Sequence, residues 1–538
     1  MRKEKNYSKK SYFITHGAVL AILLVVCILA NVLTAKWDSV LTDFFGTVGG
    51  TKTTAQAGDF VSEFGSEDAL YAAQLDHTRR VVAEGVVLLR NEDSFLPLKA
   101  GAQLSVFGLS SVSMVTTGSG SGDIEIKSDT LAGALQKAGF GINGKLNSFT
   151  ASSSHKHGTG AGPGGGDAMG EWKIDEIPWS EYTDEVKGTF SQYGDAAIVV
   201  LNRQNGEGSD LPREMGRFGN NPEKHYLELS DEEEDLLKGI KDSGAFAGTI
   251  LVINAANPME LGEIEQPEYG VKACMWYAGT GTDGIASVAD IFAGKISPSG
   301  RLVDTWAYDN LSAPAMQNFG DFRFLNADGN PTGQAYMNYG EGIYVGYRYY
   351  ETRYEDAVMG TANVGDFDYT ATVQYPFGYG LSYTTFEWTD FKADRKDDTV
   401  TATVTVKNTG SVAGRDVVEI YAQAPYTAGG VEKAAVVLAN YAKTKELKPG
   451  ESEKVTVSFN LKDIASYDFA VNKTWILDAG TYYVTAGRDA HDAVNNVLAA
   501  KGYEAPGSAA MTGKFDLDAL RLLDTAVTGT KEIGRAHV

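Results

Sequence analysis

The chain has 538 residues, 43% hydrophobic and 22% charged, which at ~150 residues per domain points to three or four domains and excludes a disordered acidic tail. A net charge of -23, from 47 basic and 70 acidic side chains, argues against nucleic acid as a partner, because such a surface repels phosphate backbones. Two cysteines, Cys27 and Cys274, are too few for a four-cysteine zinc site or a disulfide framework.

The first predicted element is a membrane signal. Residues 1–13 carry Arg2, Lys3, Lys5, Lys9 and Lys10 against Glu4, and residues 17–33 run apolar with Asn31 as the one polar member. Segment 14–35 is then long enough to be a transmembrane anchor, with residues 1–13 cytoplasmic and the main domains outside the cell membrane. Leu33-Thr34-Ala35 ends in a small residue, as a cleaved signal peptide would, but the apolar run is long for one and favours the anchor. Residues 36–66 read as a linker.

From about 67 to 300, within a domain expected over 67–383, short apolar runs alternate with helix-period segments. Strands are predicted over 103–108, 196–202, 248–254 and 272–277, each rich in Val, Ile or Leu and bounded by Gly or Asp, as buried parallel strands are. Helices are predicted over 129–138, 230–241 and 283–292; Ser230 and Glu233 have capping-box spacing, and Leu236, Leu237 and Ile240 supply one apolar face. The fold class is therefore α/β, a layered sandwich domain.

After 384 the period becomes two. Val400, Ala402, Val404 and Val406 alternate with threonines, and the pattern returns at Val455, Val457, Phe459 and Leu461 and at Tyr482, Val484 and Ala486. Residues 384–490 are expected to form an antiparallel β-sandwich. Residues 491–531, through Pro506, Gly507 and Ser508, read as a linker.

Walker, HExxH, GxSxG and CxxC motifs are absent. Gly118-Ser119-Gly120-Ser121-Gly122-Asp123 has glycines for a phosphate cradle but no P-loop lysine. His155 and His157 lack a third ligand nearby and are expected in a solvated loop. The apolar run 199–201 leads into Asn202-Arg203-Gln204-Asn205-Gly206-Glu207-Gly208-Ser209-Asp210. Ligands of open α/β sheets bind beyond the carboxyl ends of strands, and flanking glycines let the Glu207 carboxyl approach one closely. By residue type alone, Glu207 reads first as a surface-turn glutamate, with catalysis the lesser reading.

Longer motifs carry a resemblance. Ala83-Glu84-Gly85-Val86-Val87-Leu88-Leu89-Arg90-Asn91-Glu92, Trp276-Tyr277-Ala278-Gly279, Asp290-Ile291-Phe292-Ala293-Gly294-Lys295 and Pro376-Phe377-Gly378-Tyr379-Gly380-Leu381-Ser382-Tyr383-Thr384 occur in the order in which glycoside hydrolase family 3 has them. The chain resembles that family over about 70–490. The resemblance implies an α/β sandwich domain, a fibronectin-III-like domain and a retaining β-glycosidase acting on β-glucosides or β-xylosides, without cofactor or metal. It assigns the general acid/base to Glu207 and a substrate-facing loop to Gly120, Ser121 and Asp123, while Arg203 and Asp210 hold the loop. The partner it implies is an oligosaccharide or aryl β-glycoside.

The family's nucleophilic aspartate lies on a (β/α)8 barrel, which needs ~250 residues and matches nothing here. A permuted subset of the family places the barrel after the β-sandwich, so 491–531 is expected to lead toward it. One back-translation of Glu532-Ile533-Gly534-Arg535-Ala536-His537-Val538 reads as a sequencing-library adapter, which makes 532–538 an expected artefact. The rival reading is a non-catalytic surface protein, a scaffold or one that binds polysaccharide through the tyrosines of 336–354.

Overall fold

The computed structural model describes residues 9–36, 63–116, 128–157, 173–203, 211–320, 322–361, 365 and 367–523. The chain divides into two compact units, Met1–Tyr71 and Ala72–Val538. In the first, helix Lys9–Lys36 contains the apolar stretch Ser11–Val32 with mean hydropathy 2.7. At ~1.5 Å per residue a helix of this length meets the ~30 Å of a bilayer core.

The second unit begins its sheet with β1 (Val87–Asn91), β2 (Gln103–Phe107), β3 (Gly141–Ile142), β4 (Ala196–Leu201), β5 (Thr249–Asn254) and β6 (Val271–Tyr277). Their order across the sheet is β1-β6-β5-β4-β2-β3. Strands β2 to β6 run parallel, whereas β1 lies antiparallel on β6, with Val87 opposite Trp276.

All six residues of β4 and all six of β5 are buried, and alternate side chains enter different layers. Ala197, Val199, Leu201, Leu251 and Ile253 join the core with Leu236, Leu237 and Ile240 of helix Asp231–Asp242. Ala196, Ile198, Val200, Ile250 and Val252 join that of helices Leu131–Ala138 and Ile285–Phe292. A period-two strand with no polar face has to be covered on both sides, which makes the three-layer domain. The capping box forms as its spacing predicts: Ser230 Oγ accepts from Glu233 N–H, and the Glu233 carboxylate accepts from Ser230 N–H.

Strand β1 was not among the predicted strands. Its outer edge is closed by the 376–384 segment, where Leu381 N–H donates to Leu88 O and Tyr379 Oη to Leu89 O, so it offers no free pairing edge there.

The β-sandwich pairs β7 (Phe386–Lys396), β8 (Thr399–Asn408) and strands β9 (Val417–Gln423), β10 (Val437–Lys443), β11 (Ser452–Asn460), β12 (Gly480–Gly487) and β13 (Thr512–Leu517) in two antiparallel sheets, β7-β8-β11 and β10-β9-β12-β13. Val400, Ala402 and Val404 face Phe459, Val457 and Val455 in register and meet Ile420, Tyr482 and Val484 from the other sheet.

The sandwich does not end at 490. Helix Ala490–Lys501, capped by Asp489, buries Val494, Val497 and Leu498 against Tyr421 and Val436, and β13 pairs with β12 from Gly480↔Leu517 to Thr485↔Thr512. Residues 491–523 are thus part of this domain and not a linker, because its helix supplies apolar side chains at helical spacing to a core that would otherwise lie open.

The 336–354 tyrosines also depart from a common binding surface. Tyr336 and Tyr339 are exposed, but Tyr350 is buried and Tyr347 packs on Phe377 at 4.5 Å. Tyr347, Tyr349, Tyr350 and Tyr354 belong to helix Tyr347–Met359, which buries Tyr350 and Glu351.

Candidate functional site at the carboxyl edge of the sheet

From β2 the chain moves outward to β3 and then returns to the other side of β2 to form β4. The carboxyl ends of β2 and β4 therefore flank the point where strand order reverses, the position at which open α/β sheets leave a crevice. The strands are close there. Gly108 follows β2 at φ 88°, and a Cβ on it would lie 2.4 Å from Val200 O. Only glycine satisfies both the positive φ and that approach.

Two segments leave this edge: 108–128 after β2 and 202–212 after β4. Glu207, Gly120, Ser121, Asp123 and Asp210 lie outside the described residues, but the roots of their loops are well defined. Asn254, the last residue of β5, is fully buried. Its Oδ1 accepts from Val115 N–H at 2.7 Å, and its Nδ2 donates to Val115 O and Ala278 O, both at 3.1 Å. Gly281 N–H donates to Thr116 O at 2.8 Å. One amide and one backbone bond thus pin the start of the 117–127 segment to the ends of β5 and β6.

The root of the Glu207 segment is held by Arg203. Its side chain and that of Glu233 are both 0% exposed. Nη1 and Nη2 donate to Glu233 Oε1 and Oε2, each at 2.8 Å, Nε donates to Tyr226 O at 2.8 Å, and the remaining protons go to Asn202 O and Glu228 O. A guanidinium has five N–H donors, and all are engaged within the protein. Arg203 anchors the loop to the start of helix Asp231–Asp242 and has no donor left for a substrate.

Beside it lies a buried polar cluster. Glu176 accepts from Leu109 N–H at 2.9 Å and from Ile177 N–H at 2.8 Å, and burial pushes its carboxyl up to about 8. His155 sits between Asp175 at 3.0 Å and Glu181 at 3.1 Å, and its hydrogen bond to Asp175 raises it. Burial lowers His157 to about 4, leaving a neutral ring whose Nδ1 faces Asp175 N–H at 3.4 Å. The expected solvated loop is corrected here, since both rings pack against the domain. Among the described residues no three His, Cys, Asp or Glu side chains are grouped to hold a metal.

The sequence reading missed Asn254. Its signal was available as an amide ending a buried apolar strand, where no ladder partner follows and the side chain can tie neighbouring loops.

The family description "Glycosyl hydrolase family 3 C-terminal domain" matches residues 86–347, and "Fibronectin type III-like domain" matches 416–490. The chain is 33% identical over 434 residues to a beta-glucosidase of Ruminococcus albus, covering 78% of this chain and 40% of that one. It is 30% identical over 444 residues to beta-glucosidase A of Butyrivibrio fibrisolvens, covering 76% and 49%. Among solved structures, a beta-glucosidase from Paenibacillus barengoltzii superposes with a TM-score of 0.64 at 29% identity, covering 84% of this chain and 44% of that one. Beta-glucosidase 3B from Thermotoga neapolitana in complex with α-D-glucose gives 0.63 at 26%, covering 85% and 56%. The chain spans less than half the length of both curated relatives.

Proposed function

The chain belongs to glycosyl hydrolase family 3, and from that premise we propose that it supplies the acid/base half of a retaining β-glycosidase acting on terminal β-glucosides or β-xylosides. Glu207 is the general acid/base, and Gly120, Ser121 and Asp123 face the substrate from the neighbouring loop. The carrying observation is topological. The Glu207 segment and the 117–127 segment leave the carboxyl ends of β4 and β2, the two strands beside the reversal of order, and both are anchored at their roots by buried side chains.

In a retaining mechanism one carboxyl protonates the leaving oxygen while a carboxylate ~5–5.5 Å away attacks the anomeric carbon, and the first then activates water. The nucleophile comes from outside this chain, in keeping with the share of the relatives' length that it spans. Helix Lys9–Lys36 is an uncleaved membrane anchor in this reading, with a cleaved signal segment as its alternative.

The test joins the chain to a nucleophile-bearing barrel, in cis or as a second chain, and follows hydrolysis of aryl β-glucosides. The chain by itself gives no turnover. In the joined protein Glu207→Gln lowers kcat/KM most for poor leaving groups, and azide restores turnover of activated ones by replacing the deprotonated water. Loss that is equal for good and poor leaving groups, without azide rescue, would sink the assignment of Glu207.

A further inference from the structure

Beyond the 204–210 segment, Leu211 and Pro212 open onto a cavity of about 460 Å³ to which no role has been attached. Its walls are largely apolar, with Leu227, Met316, Phe319 and Tyr350 among them. Four buried polar atoms on its lining residues have no hydrogen-bond partner: His225 Nε2, Asn257 Oδ1, Thr305 Oγ1 and Asn310 Nδ2. Thr305 is 4% exposed and the His225 side chain 10%. A buried polar atom is normally satisfied, so four around one cavity point to something that satisfies them there.

Their chemistry is fixed by the bonds they already make. Leu227 N–H points at His225 Nδ1 at 3.3 Å, which leaves the ring proton on Nε2 as a donor. Burial, then the Arg213 cation, lowers His225, which favours the neutral ring. Asn257 Nδ2 donates to Pro258 O at 3.0 Å, leaving Oδ1 as a free acceptor. The Thr305 hydroxyl can do either.

We propose that this cavity binds a neutral polyhydroxylated molecule of monosaccharide size. Two donors, an acceptor and a hydroxyl set in one apolar chamber are all satisfied by a ligand whose groups both donate and accept, as sugar hydroxyls do. Phe319 and Tyr350 offer rings to the apolar face of a pyranose. No Lys or Arg is among the described residues that line the cavity, and Asp304 is its one carboxyl, so an anion finds repulsion and no counter-charge. The volume admits one ring and its substituent. The site does not depend on Glu207, which is not among these residues.

The experiment titrates the full chain, held in a sugar-free zwitterionic detergent, with methyl β-D-glucopyranoside by calorimetry. Cyclohexylmethanol and inorganic phosphate are run beside it. Saturable one-to-one binding of the glucoside is expected, with phosphate silent and the cyclic alcohol weaker. Thr305→Val and Asn257→Ala each weaken binding about fivefold and together at least tenfold. Ala315→Phe, placed on a partly exposed lining residue where folding is least at risk, blocks it. Absence of saturable binding, an unchanged affinity in the double or the blocking variant, or tighter binding of cyclohexylmethanol would each overturn the proposal.

Discussion

Replacing Glu233 by alanine is expected to destabilise the α/β domain by about 3–5 kcal/mol, because it leaves the Arg203 guanidinium buried without its counter-charge. The structure sets the scale. Both side chains are 0% exposed, and the carboxylate accepts two N–H bonds from Arg203 and one from Ser230. Two charge-assisted bonds at about 1.5–3 kcal/mol each, with a lost cap at about 1 kcal/mol, come to about 4–7 kcal/mol, and water entering the vacated space brings the loss back into that range. The double variant Arg203→Met with Glu233→Leu keeps the volume and removes both charges, so it should recover all but about 1–2 kcal/mol, the remainder reflecting the carbonyls of Tyr226 and Glu228 left without a donor. The assay is urea unfolding followed by tryptophan emission, since Trp179, Trp276 and Trp306 all lie in this domain's core. Asp76→Ala serves as a control: it breaks a pair whose partners are both 69% exposed and should stay within about 0.5 kcal/mol of the parent. A loss below about 1 kcal/mol in Glu233→Ala, or a double variant weaker than the single one, would refute the reasoning.

Gly108→Ala should cost at least about 2 kcal/mol and lower the urea midpoint, since it combines a positive φ with a 2.4 Å clash against Val200 O. Leu498→Ala should cost about 2–4 kcal/mol in the sandwich, and a stop codon after residue 490 should abolish the sandwich's cooperative melting in the detergent that holds the full chain; a cooperatively melting 1–490 chain would contradict the placement of that helix. Burial raises Glu419 to about 7 and Asp489 to about 6. Both carboxyls are therefore more easily protonated in the folded state than in the unfolded one. Their contribution is full below their ordinary values near 4 and is lost as the pH rises through 6 and then 7. Melting temperature should accordingly fall between pH 5 and 8, and Glu419→Gln should flatten that slope; parallel profiles for the two proteins would count against it.

Much of this protein was legible in its sequence wherever a short stretch of chain sets the outcome. The runs over β2, β4, β5 and β6 announced buried strands because period-two side chains on a wholly apolar segment can only be covered on both faces. Ser230 and Glu233 announced a helix start because a capping box closes within one turn. The alternation around Val400–Val406 announced the sandwich for the same local reason. Tertiary structure decided what depends on distant partners. Strand β1 finds its place antiparallel to β6 across nearly the length of the domain, and the expected linker becomes helix Ala490–Lys501 and β13 because the sandwich core lacks a cover without them. Arg203 reads in sequence as one more polar residue of a loop, yet it is spent on acceptors 23 to 30 residues away and on a neighbouring carbonyl. His225, Asn257, Thr305 and Asn310 carry no shared spacing at all. Only packing brings them around one cavity, because the burial that leaves their polar atoms unsatisfied belongs to the assembled layers and not to any one segment of the chain.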